Sequence, residues 1–232
     1  MMIKDMKYSA ILLVAGKSTR FNNGINKVYC LINNKPVFRY SFDLFFNDDR
    51  CNEIIVVHND VETLTSYLRD VNLDNKEIKF VSGGETRNKS VLNGLSKVSG
   101  DYVLVHDGAR PVITKELIDR VIDGFYYSNA VTLSLKVTDT IKETCDGIVK
   151  TLNRNNLISV QTPQGCKTEL LRNVLKKASA NGDEVFDDME AVEKYSDGEN
   201  VYFVEGDKRN IKLTTIEDLE IIELYLNKLG GK

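Results

Sequence analysis

Residues 8–20 read YSAILLVAGKSTR, and their order decides the fold. Apart from Ser9, Tyr8 to Val14 is an apolar run, short for a core helix and of the right length for a strand buried on both faces. It opens directly into Ala15-Gly16-Lys17-Ser18-Thr19-Arg20, a loop holding a glycine, two hydroxyls and two cations. A buried strand emptying into a polar loop is the repeating unit of an open α/β sheet, where ligands collect at the carboxyl ends of the strands. The same pattern recurs at 53–58, 77–81, 102–106, 130–136 and 201–205, each mixing Val, Ile, Leu or aromatics before a polar turn. Helical periodicity fills the gaps. Val37, Tyr40, Ser41, Leu44 and Phe45 share one face, as do Leu117, Val121, Ile122 and Phe125, and further helices are expected over 62–69, 89–98 and 168–180. Thr214 followed by Glu217 has the spacing of a capping box, with Leu219, Ile222 and Leu226 repeating behind it until Gly230 and Gly231. The expectation is an α/β chain: a twisted, mostly parallel sheet with helices on both faces, forming one domain over 1–232.

Composition narrows the possible functions. The chain has 232 residues and is 42% hydrophobic, enough to bury a core without disulfide or metal. A formal charge of −3 provides no global basic field for nucleic acid or an anionic membrane, so an anionic ligand must be held by a local cluster. Cys30, Cys51, Cys145 and Cys166 stand far apart with no CxxC pair, and with two histidines they do not make a zinc site. Reduced thiols, and no export or anchoring signal at the start of the chain, fit a cytoplasmic protein.

One segment breaks the alternation. Residues 137–160 form two extended pieces around Cys145-Asp146-Gly147, and Asp-Gly is a strong hairpin turn signal. So thin a hairpin cannot be a core layer, so it lies on the surface or packs against a partner subunit.

Five loops carry groups suited to chemistry. Gly16 lets backbone amides approach a ligand, and Ser18, Thr19, Arg20 and Lys27 add donors nearby, although neither a Walker A loop nor a GxGxxG turn is present. Spacing alone fits a solvated basic loop at least as well. Ser82-Gly83-Gly84-Glu85-Thr86-Arg87-Asn88-Lys89-Ser90 places paired glycines between strand and helix, where free amides can read a flat base or merely turn the chain. In His106-Asp107-Gly108-Ala109-Arg110-Pro111, Asp107 either pairs with Arg110 or faces a metal and a phosphate, while His106 reads as a packed residue. Gln161-Thr162-Pro163-Gln164 and the segment around Lys212 complete the set. A lysine ahead of a helix can meet a phosphate, though a solvated lysine is commoner.

Taken in order, AGKSTR, Lys27, SGGETRNKSV, HDGARP, VTDT, LNRNNL, QTPQG and RNIKLTT resemble the cytidylyltransferase family that activates 2-C-methyl-D-erythritol 4-phosphate in the non-mevalonate isoprenoid pathway. The resemblance covers nearly the whole chain, and ribitol-5-phosphate cytidylyltransferase shares most of it. It implies a Rossmann-like nucleotidyltransferase fold, CTP as donor, a sugar-alcohol phosphate as acceptor, Mg2+ as cofactor, and a homodimer joined by the 137–160 arm. It assigns catalytic charge to Arg20, Lys27 and Lys212, and the nucleotide to Ala15, Gly16, Ser18, Gly84, Glu85, Ser90, Asp107 and Gly108. The acceptor falls to Arg110 and Thr162, with Thr140 and Arg154 from the partner's arm. Ser-Val where this chain has Gly108-Ala109 is commoner in the ribitol-type relatives, which leans the resemblance toward methylerythritol. A non-catalytic nucleotide-binding module is the competing class, against which the joint presence of Arg20, Lys27 and Lys212 argues. The sequence departs from the family pattern at Lys17-Ser18-Thr19, Asn22, Asn26, Gly108 and Phe186-Asp187-Asp188.

Overall fold

The computed structural model describes residues 6–16, 21 and 26–230. In chain order these residues build β1 (Tyr8–Leu13), a small hairpin of β2 (Leu31–Ile32) and β3 (Lys35–Pro36), then α1 (Val37–Phe46), β4 (Cys51–His58), α2 (Val61–Ser66), β5 (Glu77–Ser82) and α3 (Arg87–Leu95). There follow β6 (Tyr102–Asp107), α4 (Lys115–Gly124), β7 (Ala130–Lys136), the arm strands β8 (Lys142–Cys145) and β9 (Ile148–Thr151), and β10 (Ile158–Lys167). The chain ends with α5 (Thr168–Ala180), α6 (Asp188–Tyr195), β11 (Val201–Glu205) and α7 (Asp218–Gly230).

Seven strands form one sheet in the order β11-β7-β10-β6-β1-β4-β5. Six run parallel, and β10 alone is antiparallel to its neighbours β6 and β7. Side chains alternate across β1 with the period of two that a pleated strand imposes. Ala10, Leu12 and Val14 face a core shared with Phe38 and Phe42 of α1, Val121 of α4 and Ile222 of α7. Ile11 faces the other way, into a core with Val91 and Leu95 of α3, Leu171 and Leu175 of α5, and Val192 of α6. Both sheet faces are therefore covered, as the sequence predicts.

Two elements go unmarked in the sequence, and one expectation needs correction. Strand β10 is not marked by the sequence pattern, because Gln161-Thr162-Pro163-Gln164 is polar and a proline argues against a central strand. The register with β7 shifts between Val160 and Gln164, and Pro163 sits within this irregularity, where no ladder donor is required. Helix α6 is likewise unmarked. Its N-cap, Asp187, accepts a hydrogen bond from the Glu190 amide at 2.8 Å, so Phe186-Asp187-Asp188 is a helix start. Last, the acid that meets Thr214 is Asp218, not Glu217: its Oδ2 accepts from the amides of Thr214 and Thr215 at 2.7 and 2.9 Å. A turn at Ile216 and Glu217 delays the helix to Asp218 and stretches the cap by one residue.

The hairpin arm forms as predicted. β8 and β9 pair antiparallel from Lys142 opposite Thr151 to Cys145 opposite Ile148. Asp146 and Gly147 both have positive φ, 48° and 80°, the geometry of the two-residue turn that Asp-Gly favours. Every residue from 138 to 151 is exposed, including Ile148 at 72% and Val149 at 62%.

Opposite the ligand-collecting edge, buried Glu53 ties the amino ends of the strands together. It accepts from Ser9 Oγ at 2.6 Å, the Ser99 amide at 2.7 Å and Lys79 Nζ at 2.6 Å. Burial pushes its carboxyl up, but Lys79, Ser9 and Ser99 more than offset this and hold it at about 2 against an ordinary 4.5. A folded-state value below the unfolded one means the stabilisation is present above pH 4.5 and is lost as pH falls toward 2. Thermal melts of the wild type and Glu53→Gln should therefore differ most above pH 4.5 and converge toward pH 2. A gap in Tm that stays constant across that window would show that Glu53 is protonated in the fold.

Candidate active site

The carboxyl ends of the parallel strands open into a cleft of about 810 Å3. Ala15 and Gly16 follow β1, Asn59 follows β4, Gly83 and Gly84 follow β5, and Asp107 ends β6. Lys212 and Thr214, between β11 and α7, close one side, and Lys27 lines the wall as well.

The turn after β5 is tightly fixed. The Gly83 amide donates to His58 O at 2.7 Å, and the Gly84 amide donates to Ser90 Oγ at 3.0 Å. Ser90 passes its own proton to Thr86 O at 3.0 Å, while Thr86 caps α3 by accepting from the Lys89 amide. A Cβ on Gly83 would stand 2.5 Å from Ala15 Cβ, so the β1 and β5 loops touch through the space that a missing side chain leaves. Asn59 donates to Ala15 O, holding the first loop from the other side. Lys27 opens a 3-10 turn, Lys27–Tyr29, seated by the buried Val28 and Tyr29. Asn26 caps that turn, its Oδ1 accepting from the Val28 amide at 3.3 Å, so an N-cap does the orienting where the family pattern has proline.

Asp107 is the electrostatic centre. Lys212 Nζ lies 2.6 Å from its Oδ2, Arg110 Nε 3.9 Å from the same oxygen, and Arg87 Nε 3.7 Å from Oδ1. Burial alone would push the carboxyl up. Lys212, Arg87 and Arg110 together overcome this and hold it far below the ordinary carboxylate range. Arg110 Nη1 donates to Asn210 O at 2.8 Å, and its buried Nε has no hydrogen-bond acceptor. Burial lowers the Arg110 guanidinium, an effect that Asp107 opposes and Arg87 adds to. His106 is completely buried, within 3.2 Å of Ser41 Oγ, 3.1 Å of Arg110 O and 3.0 Å of Thr162 Oγ1. Burial pulls its pKa down to about 4, so it is neutral at physiological pH and braces the strand end.

Of the residues predicted from sequence, Ala15, Gly16, Lys27, Gly84, Glu85, Ser90, Asp107 and Lys212 line the cleft together. Gly108, Arg110 and Thr162 support that wall: the Gly108 amide donates to Leu13 O at 2.9 Å and the Asp107 amide donates to Thr162 Oγ1 at 3.2 Å. Thr140 and Arg154 are not on the wall. Both are exposed at the open end of the arm, where Arg154 Nη1 donates to Thr138 O at 2.6 Å. Ser18 and Arg20 lie outside the described residues. Sequence reasoning misses Asn59, Arg87, Thr214 and the buried Asp188. Asn59 follows a strand as Gly16 does, a signal that is open to view, whereas Arg87 and Asp188 are 101 residues apart and no spacing rule joins them.

Comparison with known proteins agrees with this geometry. The family model described as 2-C-methyl-D-erythritol 4-phosphate cytidylyltransferase matches residues 8–228. An enzyme of that name from Caldanaerobacter subterraneus subsp. tengcongensis is 42% identical over 231 residues, covering 96% of this chain and all of that one. Its namesake from Clostridium novyi is 40% identical, with 96% and 98% covered. The crystal structure of 4-diphosphocytidyl-2C-methyl-D-erythritol synthase from Anaerococcus prevotii superposes with a TM-score of 0.85 at 30% identity, covering 97% of this chain and 98% of that one. With a cleft at the expected strand ends and a match along nearly its entire length, this chain belongs to the 2-C-methyl-D-erythritol 4-phosphate cytidylyltransferase family.

Proposed function

We propose that the cleft binds CTP and transfers its CMP moiety to 2-C-methyl-D-erythritol 4-phosphate, releasing pyrophosphate. Family membership carries the reaction class, a cytidylyl transfer. The observation that supports the site is the convergence of Lys27, Arg87 and Lys212 on a wall that also carries the Gly83-Gly84 turn.

The nucleophile is a phosphate monoester oxygen. Its second pKa is about 6, so at neutral pH it is already mostly dianionic and needs no general base. This suits a site whose histidine is buried and neutral. What remains is to bring two polyanions together, a matter of positioning and charge neutralisation. Lys27, Arg20 and Lys212 carry the charge on the triphosphate. The loop of Ala15, Gly16 and Ser18 grips the triphosphate, and Ala15, Gly84, Glu85 and Ser90 hold base and ribose, with Asp107 and Gly108 near the ribose and the phosphates. Arg110 takes the acceptor phosphate, a role supported by its buried Nε without an acceptor, and Thr162 holds the loop beside it. Thr140 and Arg154 complete that acceptor site from a partner's arm in a homodimer, which is what an exposed hairpin carrying Ile148 and Val149 on its surface would serve. The rest of the chain acts as one catalytic domain.

Enzymes of this class work with a divalent metal. Among the described residues no group of three His, Cys, Asp or Glu side chains is gathered to hold one, and the cleft wall offers the carboxylates of Asp107 and Glu85. That donor set fits Mg2+, which takes one or two carboxylates and leaves most of its shell to substrate phosphates and water. Asp107 would hold it, and bound there it would neutralise phosphate charge.

No described helix is long and apolar enough to cross a membrane. The four cysteines are free, which supports a cytoplasmic setting.

Pyrophosphate release with CTP and Mg2+ tests the reading, run on methylerythritol 4-phosphate and ribitol 5-phosphate with ATP, GTP and UTP as controls. Turnover confined to CTP and methylerythritol 4-phosphate is the expected result, and preference for ribitol 5-phosphate would overturn the acceptor. Gly83→Ala should raise the KM for CTP roughly tenfold, because the added methyl drives the β1 and β5 loops apart. An unchanged KM would mean that the contact with Ala15 does not set the nucleotide pocket.

A further inference from the structure

Arg87 opens α3 and reaches across the molecule to α6. Its Nη1 and Nη2 donate to the two carboxylate oxygens of Asp188 at 3.0 and 2.7 Å, a fork-to-fork pair between residues far apart in sequence. Asp188 is completely buried, and its own amide donates to Gln164 Oε1 at 3.0 Å. The Gln164 amide group in turn donates to Asp187 Oδ2 at 2.9 Å, locking the start of α6 to β10. With one N–H of each terminal nitrogen given to Asp188, the nearest approach of Arg87 to Asp107 is through Nε, 3.7 Å from Oδ1. That is too far for a hydrogen bond. Asp107 Oδ2 is meanwhile taken by Lys212 at 2.6 Å.

We propose that Asp188 is a positioning residue for the active site: by holding both ends of the Arg87 fork, it keeps that guanidinium near Asp107 without letting it close on Oδ1, which stays open to ligand. This rests on the reading of the cleft as the CTP site and adds a control on it from outside the cleft wall. An arginine next to a buried carboxylate closes into a bidentate pair when nothing else holds it. Here the competing partner is a second buried carboxylate, which requires the arginine because an uncompensated buried charge is strongly destabilising. The two acids share one arginine, and the tighter hold of Asp188 leaves an oxygen of Asp107 free. Burial pushes the Asp188 carboxyl up while Arg87 draws it back, as expected for an acid that depends on this one partner.

Three variants and a crystal structure test the proposal. In ligand-free Asp188→Asn the Arg87 guanidinium should swing to within hydrogen-bond distance of Asp107. The KM for CTP should rise about tenfold or more, with the acceptor KM changed by less than roughly twofold. The double variant Arg87→Leu/Asp188→Leu removes the buried pair together, an exchange that leaves stability near or above that of the wild type. Its KM for CTP should fall below that of Asp188→Asn at a Tm no lower than the wild type's, because no guanidinium is left to close on Oδ1. A KM as high as that of Asp188→Asn would show that closure of Arg87 on Oδ1 is not the cause, and the proposal would fail. Should the double variant not fold, Arg87→Lys decides, since a lysine keeps the charge but cannot grip both oxygens. A raised KM for CTP in that variant supports positioning, and a wild-type value overturns it. The crystal structure needs no nucleotide, so an Arg87 that stays in place sinks the positioning idea, whereas a wild type inert toward CTP sinks the reading of the cleft.

Discussion

Lys27→Ala is expected to lower kcat/KM for CTP by about two to three orders of magnitude, equivalent to about 3 to 4 kcal/mol of barrier. The loss is large because the reaction has no proton abstraction to fall back on. Pyrophosphate departs carrying negative charge while a dianion approaches, and in a cleft partly shielded from water each fixed cation acts through a lower dielectric than in solution. The local backbone holds Lys27 in place. It begins a 3-10 turn pinned by the buried Val28 and Tyr29 and capped by Asn26, which leaves the side chain on the cleft wall. The circular dichroism spectrum should match the wild type. Arg20→Ala should behave the same way. A turnover within a few fold of wild type in a well-folded Lys27→Ala protein would remove Lys27 from catalysis.

Arg154→Ala is expected to raise the KM for the acceptor by about ten to one hundredfold, the worth of a hydrogen bond to a charged group, while the CTP value moves little. Neither Arg154 nor Thr140 lies on the cleft wall of its own chain, so the effect requires a second copy. A mixing experiment separates the two cases. In a dimer of one Lys27→Ala chain and one Arg154→Ala chain, one site inherits both defects and the other inherits neither. At acceptor concentrations well below KM, where both variants are weakly active, random mixing should then restore about a quarter of wild-type activity, because half the dimers are hybrid and each carries one intact site. No recovery, in a mixture shown to exchange subunits, would put Arg154 in its own chain's site or in none.

The reasons some features are legible in the sequence are local ones. A strand buried on both faces must be apolar along its length, so β1, β4, β6 and β7 stand out as runs, and the ligand loops follow because polar residues begin where burial ends. Asp146-Gly147 marks the arm because few residue pairs tolerate two successive positive φ values. Strand β10 is hidden because it breaks those rules: Thr132 Oγ1 and the Asp187 carboxylate satisfy the Gln164 amide, so a polar residue sits in the middle of the sheet at no cost. Asp188 is hidden in the same way, its charge balanced by an arginine that lies on another helix. The acid that caps the turn before α7 shifts by one residue because two backbone amides find Asp218 rather than Glu217.

By itself the sequence determined the alternation of strands and helices, the loops at their carboxyl ends and the arm, since hydrophobic periodicity and turn chemistry act between residues that are close in the chain. Which cations meet at Asp107, which acids are paired by Arg87 and how the β1 and β5 loops touch through Gly83 were decided only by tertiary structure. Coulomb forces and packing depend on distance in space, and folding alone brings residues 87, 107, 188 and 212 together.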